Sequence, residues 1–563
     1  MKKKLMSTLL CAAMATSMLA GCGSSAPADT AAGAPAVEEE VGSEGSSEAT
    51  EKTGNKLADG DVTLTIFCNL QDGARAYHTD LSDNPVVQWI EKDTGLNLEF
   101  VHAPSGDDGS FFQQMLASGE IPDIMVTNLI HNNYPGGVEG AIEDGLLYDV
   151  TELVEEYAEN FWDMCELKVG DDYQKKIRGD GGKIIKFGTS MMPVSTGNNP
   201  FLGVVVRKDW LEKYGLEAPV TLEEYTEVLR TFKENGVETP LALYKLSESS
   251  WTGSNAFASA FDVSLGDFNV DADGKVYYSR TQDGYKEFLK LLNGWAKEGL
   301  IDADMVSRSA DDASKLFANG SAGMTICHTY SIKEMTTTGP AIDPEFKMLP
   351  LVYPRVEKDD VLHMTSYVTS VNAQSWLVSA DTADPELVVK FIDYIASPEI
   401  QRLCAFGTNE EVETWQEDDK GVRSFTEFIT NNPEGLDYTT VRALYTCEPF
   451  QMAWDEDLEF AQYNVEECLA SWENWKNAND GDYVLPKYLT LSVEESQEIT
   501  KIKQKIANYS DEMVYNFIFG EADIDKEWDG FVTELNNLGA EEAATIYQAA
   551  VDRYNARGQE EAE

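Results

Sequence analysis

The spacing of apolar residues along this chain switches repeatedly between a period of two and a period near 3.6, and each switch marks an element. Val62 to Phe67 alternates β-branched and apolar residues, which predicts a first strand. Asn84-Pro85 then opens a helix through Trp89 and Ile90, with Gly95 as its stop. Leu96 to Val101 reads as a second strand. Phe111, Phe112, Met115 and Leu116 share one face of a second helix, closed by Gly119, and Asp123 to Val126 is a short buried strand. Strand, helix, strand, helix, strand predicts a parallel α/β sheet.

The pattern resumes further on. Gly203 to Arg207 is a strand, and Asp209 to Tyr214 a helix closed by Gly215. Thr221-Leu222-Glu223-Glu224 is a capping box opening a helix through Leu229 and Phe232. Phe317 to Ile326 holds a helix end, a glycine turn and a strand. Ser375 to Val378 is a strand, and Pro385 to Ile395 a helix with proline in its first turn. Beyond residue 455 the chain reads as helical, with a second capping box at Ser492 to Glu495. Trp295, between Leu291, Leu292 and Leu300 at helical spacing, reads as core.

The front of the chain follows another rule. Lys2, Lys3 and Lys4 precede the uncharged apolar run Leu5 to Met18, which suits a secretory leader. The run ends in Leu19-Ala20-Gly21-Cys22, which resembles the bacterial lipobox. That resemblance implies cleavage before Cys22 and lipid on its thiol, an anchor of several acyl chains. Residues 23–60, rich in Ala, Gly, Ser and Glu, fit a disordered tether. No later run reaches the roughly 18 consecutive apolar residues of a membrane span. The expected place is therefore the outer face of the cytoplasmic membrane, with contact through the N-terminal lipid.

The 563 residues carry a formal charge of −56, which repels phosphate backbones and excludes nucleic acid as a partner. Among eight cysteines, none stands in a C-x-x-C spacing. Cys68, Cys165, Cys327, Cys404, Cys447 and Cys468 are left as buried thiols or as bridges. Five histidines are scattered without an H-E-x-x-H, and there is no G-x-S-x-G, P-loop or G-x-G-x-x-G after a strand. The chain is expected to be no enzyme and to need no cofactor. Asn269 to Lys275 resembles the start of a calcium loop, with Asn269, Asp271 and Asp273 as weak metal candidates. Its twelfth position is Arg280, where such a loop needs a bidentate glutamate, so a hairpin turn around Asp273-Gly274 is the favoured reading.

Several stretches resemble the extracellular solute-binding proteins of ABC importers, the group that includes maltose-binding protein, and in particular its long Gram-positive lipoprotein branch. They are Phe111 to Ile124, with Gly119-Glu120-Ile121-Pro122-Asp123-Ile124; Gly145 to Leu153; Arg207 to Leu216 leading into Pro219 to Tyr225; Trp295 to Asp302; and Phe317 to Met324. The tail matches in Phe517 to Gly520, Trp528 to Phe531 and Ile546 to Tyr554, so the likeness runs over residues 62–557. It departs at Phe406 to Glu411, and from there to Phe450 it is weak.

The resemblance implies a two-lobed periplasmic-binding-protein-like α/β fold, with a hinge, an interlobe cleft and a helical C-terminal part. Residues 61–203 with 374–450 would form one lobe, and 204–373 with 451–563 the other. The solute would lie between them, and closing would bring both lobes onto it. Met324 to Tyr330 takes the place of the strand that ends in a sugar-stacking aromatic, which puts Tyr330, with His328, on the ligand. Thr127, Asn128 and His131, in the loop after Pro122-Asp123-Ile124, would line the cleft. Asn69, Gln71 and Asp72 after the first strand face it too, and Trp251 joins as a further aromatic. Polar tips beside rings suit a carbohydrate. The expected role is a monomeric binding protein that hands an oligosaccharide to ABC permease subunits. A sensory or structural lipoprotein of the same fold, and a surface glycosidase, are the competing readings.

Overall fold

The computed structural model describes residues 55–170, 172–188, 202–246, 255–266, 268–364, 374–475, 482–486 and 488–557. The leader, Cys22 and Trp251 lie outside the described residues. Local chemistry explains the first elements. Strand β1 (Thr63–Phe67) leads to the helix Pro85–Thr94, where the Asn84 side chain accepts a hydrogen bond from the Val86 amide and proline fills the first turn. Gly95 ends that helix at φ +71°, and a Cβ there would meet the Ala58 carbonyl oxygen at 2.0 Å, so only glycine fits. Next come β2 (Asn97–Val101) and, after the helix Asp108–Ser118, β3 (Ile124–Thr127).

The chain continues through β4 (Leu202–Arg207), β5 (Thr239–Ala242), β6 (Phe268–Val270), β7 (Val276–Tyr278), β8 (Ala322–His328), β9 (Met348–Pro350) and β10 (Ser375–Val378). A small ribbon of β11 (Trp415–Glu417) and β12 (Arg423–Phe425) follows. Two four-stranded sheets organise the described residues, one in the order β10-β3-β1-β2 and one in the order β5-β8-β4-β9.

In the first sheet β1 runs parallel to β2 and to β3, as the alternating pattern predicts. A fourth strand outside that run joins the sheet: β10 pairs antiparallel with β3, Ser375 opposite Thr127. That strand is not preceded by a crossover helix of the same sheet, and such a connection is what forces parallel pairing. The second sheet is mixed as well. β5 runs parallel to β8, while β4 is antiparallel to both β8 and β9.

Each sheet carries its own core. Ile66, Val86, Ile90, Ile124, Trp376 and Phe391 are buried in the first, and Val205, Phe232, Trp295, Met324 and Phe517 in the second. Phe67, Phe112, Met125 and Leu377 form a further cluster on the first sheet, and a smaller one of Phe406, Phe425, Ile429, Val441 and Leu458 fills the stretch where the family likeness is weak. Gly203 lets the buried Trp475 lie against β4, since a Cβ there would stand 2.4 Å from the indole. The helices Val493–Phe519, Ile524–Asn537 and Ala540–Ala556 pack on the second core through Ile502, Phe517, Trp528, Phe531 and Ala543. Ser492 makes the capping box that opens the first of them. The six cysteines from Cys68 onward are all buried and free. Among the described residues no helix is long and apolar enough to cross a membrane.

Candidate ligand-binding cleft

Sugar-binding side chains need to stand at chain positions that are held still, and the carboxyl ends of β1, β3 and β8 supply three such places. After β1, Asn69 and Asp72 are exposed. Asp72 pairs with Arg75 at 3.2 Å, and the Gln71 amide donates to Glu448. This loop leans on a later part of the chain: a Cβ on Gly73 would come within 2.9 Å of the Thr440 Cα.

After β3 the expected open loop is a short helix, Leu129–Asn133. Thr127 is buried, and its hydroxyl accepts the Leu129 amide at 3.1 Å. That bond turns the side chain back on its own helix, a local use common for threonine. Asn128 is exposed at the helix start. His131 sits one turn on, near the Lys186 ammonium. That charge first, and burial second, hold the imidazole neutral by pushing it down to about 3.

Lys186 itself was not legible as a candidate. Only 1 % of it is exposed, its Nζ lies 5.9 Å from the Tyr488 ring, and burial pushes it down to about 8. The signal in the sequence was a single lysine inside the apolar run Ile184-Ile185-Lys186-Phe187.

β8 runs two residues past the expected end, to His328, and the helix Thr329–Ile342 starts at once. The Tyr330 ring lies nearly parallel to that of His328, with centroids 4.9 Å apart and planes inclined by 17°. Half of Tyr330 is exposed (50 %), so it is no part of the lobe's core. The pair offers a flat apolar face edged by a phenol hydroxyl, the surface that suits a sugar ring.

The calcium candidate takes a different form. β6 and β7 pair in a hairpin, with Asn269 opposite Tyr277, and Asp271 Oδ1 accepts the amides of Asp273 and Lys275 across the turn. The Asn269 amide donates to the Ser264 and Ser279 hydroxyls at 2.9 and 2.6 Å. Arg280, buried, donates to the Leu265 carbonyl, Ser510 and the Asp511 carboxylate. A guanidinium at the twelfth position and an amide turned inward do not fit a calcium ion. Among the described residues no group of three or more His, Cys, Asp or Glu is placed to hold a metal. A groove of about 940 Å³ beside this hairpin is lined by Asp273, Tyr277 and Gln548, and none of the strand-end residues borders it.

Two separate cores, each with a sheet whose strand ends carry polar and aromatic side chains, define a two-lobed binding protein. The chain belongs to the bacterial extracellular solute-binding protein family, whose model matches residues 75–402. It is 23 % identical, over 509 residues, to the fructooligosaccharide ABC transporter substrate-binding protein FusA of Streptococcus pneumoniae, covering 85 % of this chain and 88 % of that one. A shorter match, 24 % over 255 residues, is to the polygalacturonan/rhamnogalacturonan-binding protein YtcQ of Bacillus subtilis, covering 44 % of this chain and 48 % of that one. In fold it is similar to an HMO-binding, ABC-transporter-associated solute-binding protein from Bifidobacterium longum infantis. The TM-score is 0.71 at 19 % identity, with 88 % of this chain and 99 % of that one covered.

Proposed function

We propose that this protein captures an oligosaccharide between its lobes and delivers it to the permease of an ABC importer, held to the outer face of the membrane by lipid on Cys22. The observation that carries the reading is the exposed Tyr330 ring, stacked on His328 at the carboxyl end of β8. The kinship to FusA, a substrate-binding protein over nearly its whole length, supports the transport role. Asn69, Asn128 and Tyr330 make the solute contacts in this reading, with His131 behind them. Ligand that touches both lobes favours the closed form and is released unaltered. The test is calorimetric titration of the purified protein with a panel of neutral and acidic oligosaccharides, followed by chromatography of the recovered sugar. Binding of one class with the sugar intact is expected; no binding by any of them, or cleavage of the sugar, overturns the proposal. Anchoring is tested by Cys22→Ser, which should leave the protein in the medium or unprocessed.

A further inference from the structure

The stretch where the family likeness is weakest, residues 407–450, brings an unusual group of side chains to the boundary of the lobes. Lys333 projects from the helix Thr329–Ile342, one turn on from Tyr330, and that helix is rooted in the second core by Ile332 and Met335. Tyr438 and Arg442 stand on the helix Tyr438–Tyr445, whose Ala443 and Leu444 belong to the first core. The same helix lies against the β1 loop at Gly73 and Thr440. The group therefore connects two of the three strand ends that line the candidate cleft.

Its chemistry is cationic and aromatic. Lys333 Nζ lies 4.7 Å from the centre of the Tyr438 ring, and the Arg442 guanidinium lies 5.7 Å from the same ring. Tyr463 and Trp472 meet edge to face beside them at 6.1 Å. Lys333 donates to the Gln462 carbonyl, and among the described residues neither cation meets a carboxylate at ion-pair distance. Arg442 Nε, Tyr438 Oη and Trp472 Nε1 are each buried without a hydrogen-bond partner among the described residues. Burial and the neighbouring Arg442 charge push the Lys333 ammonium down.

The acids nearby do not neutralise the pair. Glu459 gives its carboxylate to the Trp454 indole, and burial pushes it up to about 7. The Cys468 thiol donates to the Thr329 carbonyl and is pushed up to about 12 by burial. Two like charges half-buried together, with unspent donors around them, cost free energy that a bound anion would offset. In a chain of net charge −56 such a corner is the opposite of the general surface.

We propose that Lys333 and Arg442 receive the carboxylate of an acidic sugar unit, with the Tyr438 ring and the Tyr463–Trp472 pair facing its carbon skeleton. This rests on the oligosaccharide reading above and names the class: a uronate-containing oligosaccharide, bridged by one cation from each lobe. Charge-assisted contacts of this kind select a carboxylate over its neutral ester.

The experiment is calorimetry of the purified protein with galacturonate and mannuronate oligomers, each beside its methyl ester, and with fructooligosaccharides. At least one acid is expected to bind about tenfold or more tightly than its ester. Arg442→Gln and Lys333→Gln should each weaken the acid about tenfold or more, and leave the weaker ester binding within about twofold. Arg442 is packed on two rings, so Lys333→Gln, at the edge of the group, gives the reading if the arginine variant melts early. Equal affinity for acid and ester, or acid affinity untouched in a folded variant, overturns the inference. Binding of fructooligosaccharide alone overturns it and leaves the proposed function standing, whereas no binding by any sugar overturns both.

Discussion

Arg557, the last residue described, holds Asp180, which lies between Ile177 and Ile184 of the first core, with two nitrogens on one oxygen, Nε at 2.8 Å and Nη2 at 2.5 Å. Arg553, a turn earlier, takes the other carboxylate oxygen at 2.7 Å. The Arg557 side chain also donates to the carbonyls of Lys175, Arg178 and Tyr488. The helix Ala540–Ala556, packed on the second core by Ala543, is thus tied at its far end to the first.

A buried charge whose partner is removed loses more than the contact is worth. Asp180→Asn and Arg557→Met are each expected to cost about 3–5 kcal/mol of stability in urea unfolding. Because the groups touch, the double variant should cost clearly less than the sum, with a coupling of about 1 kcal/mol or more. Additive losses would show that the two residues stabilise the protein independently.

The His131–Lys186 pair makes a pH signature. In the folded chain His131 is held down to about 3 against an ordinary 6.5, so the unfolded chain binds its proton first. Its contribution is complete above pH 6.5 and is lost as pH falls from there toward 3, at up to about 1.4 kcal/mol per pH unit. Lys186 acts with the same sign in a higher window: with its folded value near 8 against 10.5, the unfolded chain again binds its proton first, and stability rises as pH climbs through that interval. Lys186→Met is therefore expected to raise stability at pH 7, by about 1–3 kcal/mol. It should also flatten the acid-side slope. An unchanged acid slope in that variant would mean that burial, not the ammonium, holds His131 neutral.

Much of this architecture was legible because local chemistry and tertiary packing agree along the outer elements. The helix capped by Asn84 and ended by Gly95 lies where the signals put it, and so do both capping boxes. Trp295 is 1 % exposed and gives its indole hydrogen to Thr226. Strand direction was not legible, since β10 reads the same forward or backward to a period of two. β5 escaped notice because Pro240 sits inside it, tolerated only because that strand is at the edge of its sheet. For the site, residues next to regular strands could be named, but Lys186, Lys333 and Arg442 could not. What singles them out is that no carboxylate among the described residues pairs with them, and that depends on three-dimensional neighbours absent from any local pattern.

The hairpin of β6 and β7 makes a further case testable. Arg280 replaces the acid that a calcium loop would need and fills the space with its own hydrogen bonds to Leu265, Ser510 and Asp511. Addition of a chelator is expected to leave the melting temperature unchanged. Arg280→Met should lower stability by about 2–4 kcal/mol, because it strands a buried hydroxyl and carbonyl. A fall in melting temperature on chelation would show that this chain holds a structural ion after all.

Tyr330 offers the sharpest test of where the sugar lies. Its ring is 50 % exposed, and among the described residues it stacks on His328, itself at the end of a strand. Truncation to alanine therefore opens no core cavity, and unliganded stability should change by less than about 1 kcal/mol. A ring that stacks on a sugar is another matter, since the bound state loses both the apolar face and the phenol hydroxyl. Tyr330→Ala is expected to weaken binding by roughly 1–3 kcal/mol, about 5- to 150-fold, and Tyr330→Phe by much less. The comparison must be made on one preparation, with ligand affinity by calorimetry and unliganded melting by scanning calorimetry. Unchanged affinity in the alanine variant would remove Tyr330 from the site, and a matching loss of stability would mean that the ring supports its lobe instead.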